Sequence, residues 1–125
     1  MKLIISFLGF LFITNSFAGS VQSFEDKYYR LQTKFIEAQT NSNDVYRYPD
    51  GSMVTKVEDK IKIQASRDCL TWKAERDFDL HIVNNFKEYE AAKEKTFFIN
   101  ASKDEWLDNL KYLNGKINNP ENKCI

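Results

Sequence analysis

The sequence predicts a mainly α-helical chain, a small bundle of about four helices, and three observations carry that expectation. The interval from Ser52 to Asn114 contains neither Gly nor Pro, the residues that gather at the tight turns a multi-stranded meander needs. Apolar residues recur at alternating spacings of three and four, the period of one helix face. Ser or Thr stands three residues ahead of an acid before several of these windows, the pattern in which the side chain takes an otherwise orphan backbone N–H at a helix start. The competing reading is α+β, with residues 45–75 forming an antiparallel sheet packed on helices, because Ile61-Lys62-Ile63-Gln64-Ala65 alternates as a half-buried strand would.

Taken in order, the first element runs from Ser23 to about Gln39, with Phe24, Tyr28, Leu31, Phe35 and Ala38 on one face and Ser23/Asp26 as a start signal. Thr40 to Asp44 ends it with side chains that bond to nearby backbone. Pro49-Asp50-Gly51 is the one strong turn: Pro presets its φ, Asp bonds ahead, Gly accepts positive φ. It leaves room for a short β-hairpin near 45–57. Thr55/Glu58 opens a second helix, with Val54, Val57, Ile61, Ala65, Cys69 and Trp72 as its face. Asp77 is placed to cap a third, carrying Phe78, Ile82, Phe86 and Tyr89 and ending in Lys93 and Lys95, which suit a negative C-terminal pole. Thr96-Phe97-Phe98-Ile99 reads as core-lining coil or a short strand. Ser102/Glu105 opens the last helix, faced by Trp106, Leu110, Leu113 and Ile117, with Gly115 at its C-terminal cap.

Met1–Ala18 has the pattern of a signal peptide. Lys2 precedes an apolar stretch from Leu3 to Ile13, and Ser16 and Ala18 put small side chains at the −3 and −1 positions. About ten apolar residues are too few for the roughly twenty of a membrane-spanning helix. The expected organisation is a removable segment, 1–18, and a single exported domain, 19–125, periplasmic or secreted, with no membrane span once the signal is gone. The 18 basic and 18 acidic residues balance, so no basic surplus draws the chain to nucleic acid. All 6 Tyr and both Trp lie beyond residue 18, enough bulky apolar surface for a core.

The two cysteines, Cys69 and Cys124, are expected to form one disulfide, since export leads to oxidising surroundings and an even pair allows a single intramolecular connection. Two Cys and one His fall short of the four ligands of a structural zinc site, and no calcium loop, His-Glu-x-x-His or phosphate-cradling glycine loop is present. No metal or cofactor is expected. His81, the only histidine, has Asp77 four residues before it, on one helix face, where a carboxylate orients an imidazole; no Gly-x-Ser-x-Gly elbow supplies a nucleophile. Asn100-Ala101-Ser102 matches a glycosylation acceptor, relevant only to a eukaryotic secretory route.

Tyr46, Arg47, Tyr48 and Asp50 are the candidate partner-binding residues. Tyr and Arg are enriched at interface hot spots, and a proline-stiffened turn presents them at low entropic cost. The other reading of the same residues packs both Tyr rings onto helices and leaves Arg47 solvated. By elimination, the expected function is not enzymatic. It is an exported module binding another protein, such as an inhibitor or an immunity protein neutralising a toxin or enzyme. The alternatives are a small extracytoplasmic hydrolase using His81 and a carboxylate, and a carrier of a small apolar ligand.

Overall fold

Helix formation dominates because nothing in the chain interrupts it over long runs. The computed structural model describes residues 8–94 and 98–124, and of 8–22 only the backbone. Among the described residues four helices follow in order: α1 Leu8–Ser42, α2 Val57–Asn84, α3 Phe86–Lys93 and α4 Lys103–Asn118, then a 3-10 turn Pro120–Asn122. Among the described residues there is no strand, and the sheet alternative for 45–75 is overturned: from Val57 this segment is helix. No helix of the described residues is long and apolar enough to cross a membrane. The expected signal segment, 1–18, lies in part outside the described residues.

α1 passes through Ser23 without a break, so Ser23/Asp26 is not a start; inside a helix those N–H groups already bond to the preceding turn. It ends at Ser42, where Thr40 Oγ1 bonds back to the Ile36 carbonyl (2.9 Å) and Asn43 Nδ2 to that of Gln39 (3.1 Å). The hairpin shrinks to a single antiparallel bridge, Arg47 to Met53. It is framed by Tyr48 N–H to the Ser52 carbonyl (2.8 Å) and Val54 N–H to that of Tyr46 (3.0 Å). These bonds hold the incoming chain extended as far as Lys56 (φ −75°, ψ 129°), so α2 opens at Val57 with no side-chain cap, and the expected Thr55/Glu58 box does not form.

The second and third expected helices are joined differently. α2 continues through Asp77, which is an exposed interior residue and not a cap. The break falls at Asn85 (φ −127°, ψ 41°), whose side-chain amide donates to the His81 carbonyl (2.8 Å) while its own carbonyl accepts from Tyr89 N–H (3.0 Å). One asparagine thus closes α2 and opens α3. Gly115 is inside α4 and not its cap; the helix stops at Asn119, before Pro120, a residue that disfavours helical backbone ahead of it. Lys123 (φ 51°) takes the left-handed conformation instead. The Ser102/Glu105 capping box forms in full: Glu105 N–H to Ser102 Oγ (3.2 Å), and Ser102 N–H to Glu105 Oε2 (2.7 Å).

α1 runs antiparallel to α2, pairing Phe24 with His81 and Ser42 with Asp68. α4 also runs antiparallel to α2, pairing Trp106 with Phe78 and ending with Cys124 bonded to Cys69 (Cα–Cα 5.4 Å). The core gathers Phe24, Tyr28, Phe78, Ile82, Tyr89, Ala92, Phe98 and Trp106. Tyr28 and Phe98 stack at 3.8 Å between centroids, a geometry worth more than area burial alone. The segment entering α4 is held by two buried hydroxyls: Tyr89 Oη donates to the Ile99 carbonyl and accepts from Ala101 N–H (3.0 Å), and Tyr28 Oη accepts from Ile99 N–H (3.1 Å). Phe98 is buried as a core-lining coil residue; Thr96 and Phe97 lie outside the described residues.

Candidate functional site

At the end of the bundle away from α3, α2 reaches past the end of α1, and the 45–54 turn folds back against its first turns. Gly51 (φ 86°) takes the corner, and Asp50 Oδ1 accepts from Ser52 N–H (2.9 Å) and Ser52 Oγ (2.6 Å), which together hold its carboxyl below the usual range. Tyr46 Oη donates to Gln64 Oε1 (2.8 Å), and Gln64 Nε2 in turn donates to Asp68 (2.7 Å) and Ser42 (3.1 Å). Tyr48 Oη donates to Asp59 Oδ2 (2.7 Å), a bond that raises its pKa. Arg67 reaches up from α2 to the carbonyls of Asp44 (2.7 Å) and Val45 (3.2 Å) and lies over the Tyr46 ring.

The four candidate residues therefore divide. Tyr46 and Tyr48 are half-buried anchors that tie the turn to α2, whereas Arg47 and Asp50 are exposed, Arg47 donating to the Gly51 carbonyl (3.0 Å) within its own turn. Around them lies apolar surface that the periodicity had assigned to the core: Val57 is 68% exposed and Ile61 64%, joined by Val45 and Met53. The helical spacing of Val57 and Ile61 is real, but α1 ends before it can cover them. A groove of about 520 Å³, with Asn43, Val45, Met53 and Lys60 among its walls, opens between the turn and α2. Met53 carried no signal in the sequence; a lone Met after a turn resembles any loop residue.

His81 sits at the opposite end, 7% exposed. Its Nε2 bonds to the Phe24 carbonyl (3.0 Å) and its Nδ1 lies 3.3 Å from Asn85 Nδ2. Because the amide donates, Nδ1 accepts and Nε2 carries the hydrogen. Burial lowers its pKa. Asp77 is not its partner and pairs with Arg76 (3.5 Å). With both nitrogens engaged, the ring ties α1 to α2 in this structure. The space between the helices, where a carrier would hold an apolar ligand, is occupied by aromatic pairs. Among the described residues no group of three or more His, Cys, Asp or Glu is placed to hold a metal ion. Comparison of the chain with models of known families, with curated proteins and with solved structures found no match to any of the three.

Proposed function

We propose that this chain is an exported binding module that docks on another protein through the 45–54 turn and the first turns of α2, acting as an inhibitor or immunity protein toward an enzyme or toxin. The observation that carries the reading is a turn tied down by Tyr46, Tyr48 and Arg67 beside apolar side chains, Val45, Met53, Val57 and Ile61, which the bundle leaves outside. Side chains held in place before contact lose little freedom on association. A stable complex needs about 800 Å² from each partner, a patch that includes the turn, the groove and the α2 start. The disulfide supports export, since such bonds persist in oxidising compartments.

The test uses protein recovered from the compartment it reaches. Its N-terminus should be Gly19, and Met53→Asp with Arg47→Ala should lower affinity for a co-purifying partner at least tenfold, with the thermal midpoint unchanged. An intact Met1 on protein found in the cytosol overturns export. Unchanged affinity in the double variant moves the binding site elsewhere.

A further inference from the structure

Where α2 meets α4, one neutral amide serves two acids. Asn109 Nδ2 donates to Asp79 Oδ2 (2.7 Å) and to Glu75 Oε1 (3.0 Å). Glu75 and Asp79 are four residues apart on α2 and share a face, a placement in which like charges destabilise a helix. Asp79 is 1% exposed, so water cannot solvate its charge. The amide orients the two carboxylates but cannot cancel either charge. Neither described ion pair, Arg76–Asp77 or Lys93–Glu90, includes them.

We propose that Glu75, Asp79 and Asn109 form a proton-operated clamp at the α2–α4 seam: the fold is held more firmly when the carboxylate pair takes up one proton, which relieves two like charges held side by side, and less firmly when both acids are ionised. Of the other charged groups on α2, Arg76 pairs with Asp77. On α4, Glu105 is engaged with Ser102 and Asp108 is exposed. From α1, the charges of Lys27 and Arg30 act on His81. α3 and α1 bring Tyr89 and Tyr28 to the core, where burial raises the pKa of the Tyr28 phenol. Burial, with the Glu75 charge adding to it and the Asn109 bond opposing, carries the Asp79 carboxyl from the ordinary 3.8 up to about 6.

The sign follows directly. The folded state holds its Asp79 proton at a higher pH than the unfolded chain does, so between about pH 6 and 4 it binds more protons and gains stability as pH falls. His81 works in the opposite direction: its lowered pKa means that acid favours the unfolded chain, which charges its imidazole more readily. The clamp is therefore read as a difference between two proteins that both keep His81.

Urea unfolding of the disulfide-bonded protein and of Asp79→Asn, followed at buried Trp106 from pH 8 to pH 4, supplies that difference. Over this range the folding constant of the wild type should rise about a hundredfold relative to the variant, the factor that a shift of about two pKa units gives. Parallel profiles overturn the clamp. Carbon NMR of the Asp79 carboxyl in the wild type decides the matter should the variant fail to fold. Titration near 6, moving down in Glu75→Gln, is expected; titration near 4, or a value indifferent to Glu75→Gln, overturns it.

Discussion

Breaking the bond between Cys69 and Cys124 is the perturbation with the most calculable cost. The two residues are 55 apart in the chain, and closing a loop of that length in the unfolded ensemble removes about 4 kcal/mol of conformational entropy. That is a large share of the 5–15 kcal/mol by which domains are stable. The native side of the balance is small. The tail keeps local bonds without the bridge, Asn122 Nδ2 to the Lys116 carbonyl (2.8 Å) and Glu121 N–H to Asn119 Oδ1 (3.0 Å), and Cys69→Ala removes one buried sulfur. The Cys69→Ala/Cys124→Ala protein should therefore remain folded but lose roughly 2–4 M in its urea midpoint, taking a slope of about 1–2 kcal/mol per molar. The slope itself should rise, because an unclosed chain exposes more surface on unfolding. Circular dichroism and tryptophan fluorescence read the same transition, and reduction of the wild type should reproduce it. A midpoint change below about 0.5 M would refute the entropic account, and free thiols in non-reducing peptide mapping would remove its premise.

Two further substitutions test how α4 is docked and started. Tyr89→Phe strips the Ile99 carbonyl of a donor and Ala101 N–H of its acceptor, whereas Tyr28→Phe leaves only Ile99 N–H unpaired. A fully buried group left unsatisfied costs about 1–3 kcal/mol and these part-buried ones less, so urea titration should rank Tyr89→Phe as the more destabilising, and the reverse order would contradict the assigned bonds. Ser102→Ala should cost about 1 kcal/mol by loss of the cap. It should move the Glu105 carboxyl, held low first by the Ser102 N–H and then by the Ser102 hydroxyl, only part of the way back toward its ordinary value, because alanine keeps the N–H; a Ser102→Ala protein as stable as the wild type would show that the box does not form in solution.

Much of the frame was legible because its signals are local. The α4 face of Trp106, Leu110, Leu113 and Ile117 is buried as its spacing requires, and the Ser102/Glu105 box starts that helix. The candidate turn was legible for the same reason, since Pro49, Asp50 and Gly51 each act on their own backbone. The errors arose where a local signal competed with an equally local alternative. Asp77 has the chemistry of a cap, yet 73–77 contains nothing that breaks a helix, so α2 ran on until Asn85. Thr55/Glu58 was displaced by the bridge between Arg47 and Met53, a contact outside any helical window. Tyr46 and Tyr48 stand out in the sequence as candidate binding residues, but whether they point outward or anchor depends on Gln64 and Asp59, a helix away.

By itself, then, the sequence determined the helical class, the pairing of its two cysteines and the position of the tight turn, because periodicity, cysteine count and turn chemistry act within a few residues or leave a single choice. Tertiary structure alone decided that Val57 and Ile61 stay outside, since exposure depends on where the neighbouring α1 stops. It alone brought Asn109 between Glu75 and Asp79. Burial and hydrogen-bond partnership are properties of packed elements distant in the chain, and no spacing within one segment encodes them.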